Sequence, residues 1–203
     1  MKDLIALVAD KVIEQTLHAL LSREKSLGIH HLDAEIYIHP HHDPGVFNEA
    51  GFFLAQFKDR FDYALVMFDR VGSGHEEINA YEIQSLVQKR LDDNSWKDRS
   101  GVIVLDPELE VWIWTDSPHV SKTLGVEYKY LKNILRKYSN NINSKPSEPK
   151  TLMKETLFRS GMPLSSSLYA KIARNVSFKY CKDPAFHQLR DYLIKWFRIE
   201  IKE

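Results

Sequence analysis

Five carboxylates in this sequence stand just after short apolar runs. Asp10 follows DLIALVA (Asp3–Ala9), Asp69 follows YALVMF (Tyr63–Phe68), and Asp106, Glu108 and Glu110 follow GVIVL (Gly101–Leu105). Runs of this length bounded by charge read as buried strands. Carboxylates carried by separate strand ends can converge on a hard cation such as Mg²⁺ or Mn²⁺, which takes oxygen ligands. Each one alone also reads as a turn former or a helix cap. Together they nominate Asp10, Asp69 and Glu110 as ligands, with Glu108 beside them. Glu110 ranks ahead of Glu108 because Leu109 and Val111 suggest a helical face.

A second cluster follows the next strand. His39-Pro40-His41-His42-Asp43-Pro44-Gly45 places three imidazoles and a carboxylate within five residues. Such a set can bind Zn²⁺ or Mn²⁺, or supply an acid and base beside the carboxylates. Its spacing matches no structural zinc motif, and Cys181 is too isolated to complete one. The expectation is that His39, His42 and Asp43 border the carboxylate cleft, with His42 as acid/base and Asp43 as a further metal ligand. The competing reading is a solvated loop that uses His and Pro as turn chemistry. The loop Asp69–Glu76 (DRVGSGHE) is no phosphate-binding P-loop, because it lacks the Lys-Ser/Thr pair. Arg70 in it is set either to contact a phosphate or to pair with a neighbouring acid. Ser165–Ser167 reads as helix capping, and Trp112 and Trp114 read as core.

These residues need elements to position them. KVIEQTLHALLS after Asp10 carries apolar residues at helical spacing. Ala34–Ile38 (AEIYI) alternates as a strand and runs into the His-Pro stretch, which reads as turn-rich. Glu49–Phe57 reads as a helix packing Phe52, Phe53 and Phe57 inward, and Ile78–Leu91 as a long helix with apolar Ile78, Tyr81, Ile83, Leu86, Val87 and Leu91. The order β-α-β-α-β-α-β with helix-length spacers predicts an α/β fold with a mostly parallel sheet flanked by helices. In such a sheet ligands bind outside the carboxyl ends of the strands. Beyond residue 121 the strand signals fade. Tyr128–Tyr138 reads as a basic amphipathic helix, Ser139–Pro149 as a polar linker, and three further helices follow. The expected organisation is a core over 1–121 and a basic helical extension over 122–203 packed on it.

The net charge of zero across 203 residues is a cancellation. Residues 1–121 hold 11 Lys and Arg against 21 Asp and Glu, and residues 122–203 hold 17 against 7. That asymmetry suits an acidic part that holds a cation and a basic part that meets an anion, or two halves that attract each other within one chain or across a homo-oligomer. Lys145, Lys150, Lys154, Arg159, Lys171 and Arg174 are the candidate phosphate contacts. A single cysteine suits a reducing compartment, and no apolar run approaches the roughly 18 residues of a membrane span. The expectation is a cytoplasmic protein with no membrane partner.

The pattern resembles the TOPRIM fold, the metal-binding domain of topoisomerases, primases and overcoming-lysogenization-defect (OLD-type) nucleases. That resemblance implies an acidic residue after the first strand, where Asp10 stands as Asp rather than the usual Glu. It also implies an Asp-x-Asp after the third strand, where Asp69 matches and Val71 occupies the second position. The chain is closer still to small bacterial TOPRIM-like proteins that share an FDR-x-G-x-G loop, a DPELEVWIW segment and a Cys…Asp-Pro-x-Phe helix entry. Here these are FDRVGSG, DPELEVWIW and CKDPAF. HPHHDPG, ALVMFDRVGSG and DPELEVWIWTDSPHV further resemble a component of methylation-associated anti-phage defence systems. The resemblance implies a Mg²⁺- or Mn²⁺-dependent nuclease or phosphodiesterase acting on nucleic acid, working with other defence-system proteins. The alternative is a non-catalytic subunit that binds nucleic acid or protein, and the departure at Val71 favours it.

Overall fold

The computed structural model describes residues 1–115, 117–138, 146–177 and 181–199. Four strands, β1 (Lys2–Val8), β2 (Ala34–Ile38), β3 (Phe61–Asp69) and β4 (Ser100–Leu105), form one sheet in the order β2-β1-β3-β4. Every pairing is parallel. Leu4 to Val8 of β1, Ala64 to Phe68 of β3 and Val102 and Ile103 of β4 are fully buried. A strand covered on both faces has no solvent side, so its sequence runs apolar without alternation. β2 at the edge is half-buried throughout and alternates accordingly.

The helices that join the strands are α1 (Lys11–Leu21), the short α2 (Glu24–Leu27), α3 (His42–Ala55) and α4 (Ala80–Leu91). α3 packs on β1, β3 and α4, and α4 lies on β4. Gly51 is the contact point between the two helices, since a Cβ there would stand 2.6 Å from the Arg90 carbonyl oxygen.

The C-terminal part adds α5 (Pro118–Thr123), α6 (Tyr128–Tyr138), α7 (Pro149–Ser160), α8 (Ser166–Asn175) and α9 (Pro184–Phe197). α8 lies along α1, and α9 covers β4. Buried residues of both portions belong to one continuous apolar core. Among the described residues no helix is long and apolar enough to cross a membrane. Lys145 and most of the expected linker, residues 139–145, lie outside the described residues.

Three local expectations need correction. The His-Pro stretch is not all turn: α3 begins at His42, so His42–Gly45 is already helical. Pro44 falls in the first turn, where the backbone N–H has no helical partner to lose. Gly45 is needed there because the His39 ring occupies the space a Cβ would fill. Phe52 is 83% exposed rather than inward. The buried positions of α3 are Val46, Phe47, Ala50, Gly51 and Leu54, and Phe52 falls off that stripe at 100° per residue. In α4, Tyr81 and Leu86 are likewise exposed, and the buried stripe is Ile83, Val87 and Leu91.

Candidate metal centre

With strand order β2-β1-β3-β4, the chain leaves β1 to one side and returns to the other side at β3. The crevice between the carboxyl ends of these two strands is the switch point where open α/β sheets bind ligands. Asp69 is the last residue of β3, and Asp10 follows β1.

Asp69, Glu108 and Glu110 each offer a carboxylate oxygen within 4.8 Å of the other two, and all three residues are buried. Asp69 is placed by the sheet, and its Oδ1 accepts the backbone N–H of Leu109 at 2.9 Å. That bond draws the segment after β4 across the end of β3. Leu109–Trp112 then forms a single 3₁₀ turn, which aims both Glu108 and Glu110 at Asp69. Trp112 and Trp114 are buried, as the sequence suggests, and their indole N–H groups also bind. Trp112 donates to Asp183 Oδ1 at 3.1 Å and Trp114 to the Pro149 carbonyl at 2.9 Å. The second bond fixes the first residue of α7, so Lys150 reaches Glu108 Oε2 with its Nζ at 2.8 Å.

Burial drives the electrostatics. It pushes the Asp69 carboxyl well above the usual aspartate range, and the charges of Asp43, Glu110 and Asp10 push it further. Glu110 is raised by burial as well, against the hydrogen bond from Tyr169, which favours the carboxylate. The Tyr169 hydroxyl donates to Glu110 Oε1 at 2.7 Å, and burial together with that carboxylate holds the phenol far above its ordinary value. At Lys150 burial disfavours the ammonium, but the bond to Glu108 and the charges of Glu110 and Asp69 outweigh it and raise the pKa. Like charges packed out of water are costly unless a cation joins them.

Asp10 and Asp43 stand outside the 4.8 Å group. Asp10 caps α1, its Oδ1 accepting the N–H groups of Val12 and Ile13 at 2.8 Å each, so the capping reading is realised there. Asp43 Oδ1 accepts the Asp69 N–H at 2.8 Å, and burial raises its pKa. Both still reach the centre through their charge on Asp69. Glu108, ranked second by sequence, is in the group.

The histidines divide. His39 is 1% exposed, with Nδ1 accepting the His41 N–H at 3.1 Å and Nε2 at 3.4 Å from Glu49. Burial lowers its pKa, and these contacts make it a packing residue rather than a cleft residue. His41 also faces Glu49, at 3.6 Å. His42 takes the left-handed φ of 50° and brings Nδ1 to 3.1 Å from the Ala9 carbonyl oxygen, at the end of β1.

The expected phosphate contacts also separate. Arg70 is engaged, with Nε on Asp106 Oδ1 at 2.8 Å and a second nitrogen on the Glu76 carbonyl. Lys150 belongs to the acidic centre, and Arg159 lies over the Tyr130 ring at 4.3 Å. Lys154, Lys171 and Arg174 are exposed. Tyr169 is the residue the sequence did not reveal, because a tyrosine on an amphipathic helix carries no mark of its partner. No family model, curated protein or solved structure matches this chain.

Proposed function

We propose that Asp69, Glu108 and Glu110 hold one divalent cation, Mg²⁺ or Mn²⁺, and that the chain uses it to hydrolyse phosphodiester bonds in nucleic acid. On this reading it is a TOPRIM-like, metal-dependent nuclease or phosphodiesterase of bacterial anti-phage defence, a placement that rests on the sequence resemblance. The observation that carries the metal reading is the convergence of three buried carboxylates within 4.8 Å at the strand ends. Hard oxygen ligands in that number suit Mg²⁺ or Mn²⁺ and leave positions for water and a phosphate oxygen.

A divalent ion bound there would supply charge neutralisation and a bound water more acidic than bulk water. The chain's own residues do the rest. His42 Nδ1 faces the Ala9 carbonyl oxygen, which only accepts, so Nδ1 carries a hydrogen and Nε2 is the ring nitrogen left for acid/base work. His42 would take the proton leaving the attacking water. Lys150, now paired with Glu108, would be released to a phosphate if a cation held that carboxylate. Lys154 and Arg174 are exposed and would follow the backbone, contacts that would make affinity fall with salt.

The second reading, a non-catalytic subunit, is favoured by Val71 at the position of the second Asp, a residue that is 44% exposed. Plasmid, labelled single-stranded DNA and RNA incubated with Mn²⁺ separate the two. Cleavage lost in Asp69→Asn supports the enzyme. Mn²⁺ binding without cleavage of any of the three supports the subunit.

A further inference from the structure

Behind the acidic centre lies a cavity of about 50 Å³ between α1, α8, the 3₁₀ turn and the start of α9. Leu20, Leu109, Trp112, Ile172, Val176 and Phe186 supply its apolar walls. Thr16 lies on the same wall, is 7% exposed, and its Oγ1 has no hydrogen-bond partner. A threonine inside a helix ordinarily returns its hydroxyl to the carbonyl four residues back. Here that bond is not made, and a buried hydroxyl without a partner is disfavoured.

We infer that this cavity is a binding site for a small aliphatic group carrying one hydroxyl or carbonyl oxygen, which pairs with Thr16. A buried water needs two to four polar partners. Among the described lining side chains Thr16 is the one whose polar atom makes no bond, and the walls around it are mostly apolar, which suits an aliphatic group better than a water. An aliphatic group satisfies the apolar walls by contact and needs one polar atom. The volume is about a third of the ~150 Å³ apolar cavity that admits benzene, so the occupant is a tip of roughly two or three heavy atoms.

The cavity also touches the chemistry. The Tyr169 ring forms part of its wall while the hydroxyl of the same residue holds Glu110. An occupant packed on that ring fixes the hydroxyl in place, so occupant and cation strengthen one another, and such coupling is reciprocal. This coupling rests on the metal reading; the binding itself does not.

The test uses the metal-free chain and ethanol as the probe, followed by methyl NMR at Leu20, Ile172 and Val176. Ethanol should shift these resonances saturably. The nearly isosteric Thr16→Val should bind it about three- to tenfold more weakly, the worth of one hydrogen bond. Thr16→Val should melt no lower than wild type, since it removes an unpaired hydroxyl. Xenon, which needs no polar partner, should enter both proteins. Absence of a saturable shift, or equal ethanol affinity in Thr16→Val, overturns the site. Mn²⁺ titration with and without saturating ethanol then reads the coupling, with a two- to fivefold gain expected by the linkage argument. An unchanged Mn²⁺ affinity overturns the coupling alone. Absence of any Mn²⁺ binding overturns the metal reading and leaves the ethanol result standing.

Discussion

Tyr169 donates its phenolic hydrogen to Glu110 Oε1 at 2.7 Å, from a helix 59 residues further along the chain. The bond ties the C-terminal helices to the strand-end carboxylates, and Arg23 reinforces the same junction. Its guanidinium donates to the carbonyls of Ala173 and Val176 at the end of α8, at 2.8 and 2.7 Å.

Tyr169→Phe keeps the ring and removes the donor. Because that hydrogen bond favours the Glu110 carboxylate, its loss raises the Glu110 pKa further. Mn²⁺ affinity should fall more at pH 6 than at pH 8, because proton competition weakens as pH rises. An equal loss at both pH values, measured by titration calorimetry, would contradict this.

Asp69→Asn keeps an Oδ1 to accept the Leu109 N–H and removes the most strongly disfavoured charge. The metal-free variant should gain on the order of 1–2 kcal/mol at pH 7.5, as expected when a strained functional group is neutralised. It should also lose all stabilisation by Mn²⁺. Urea unfolding with and without Mn²⁺ measures both.

The raised carboxyls give a pH dependence of definite sign. Between the ordinary values, 3.8 for Asp and 4.5 for Glu, and the raised values of Asp69, Glu110 and Asp43, the folded chain binds more protons than the unfolded chain. Stability contributed by these groups is therefore present at low pH and falls as pH rises through that window. Thermal melts of the metal-free chain from pH 4.5 to 8 should show the decline, and Asp69→Asn should flatten it. Saturating Mn²⁺ should restore most at the highest pH. A wild-type profile parallel to that of Asp69→Asn would refute the assignment.

Lys150 is a tethered cation on Glu108. Lys150→Met should tighten Mn²⁺ binding about three- to tenfold by removing a partly screened positive charge, while weakening single-stranded DNA binding at low salt. Fluorescence anisotropy across a salt series measures the second effect. Unchanged DNA affinity would remove Lys150 from the phosphate path.

What the sequence disclosed follows from the range of each signal. Asp69 was legible because β3 is buried on both faces, so its apolar run marks the strand end and the switch point with it. Leu109 and Val111 suggest a helical face that favours Glu110 over Glu108, but the segment makes only one 3₁₀ turn, tight enough to aim both inward. His42 and Asp43 show as chemistry in a turn-rich stretch, because Pro44 and Gly45 are turn residues that also suit a helix's first turn against His39. Three phenylalanines on one helix look like a core stripe, and only the packing of Gly51 against Arg90 fixes which face turns inward and leaves Phe52 outside. Lys150 and Tyr169 depend on how distant helices dock, and no local pattern records that.

The most direct test of the metal centre is Mn²⁺ binding followed by electron paramagnetic resonance of the free ion at pH 7.5. One Mn²⁺ per chain is expected, lost in Asp69→Asn and in Glu110→Gln. Asp106→Asn should bind it normally, because Asp106 pairs with Arg70 and stands outside the carboxylate group. Wild-type protein that binds no Mn²⁺, or binding that survives both Asp69→Asn and Glu110→Gln, would contradict the account.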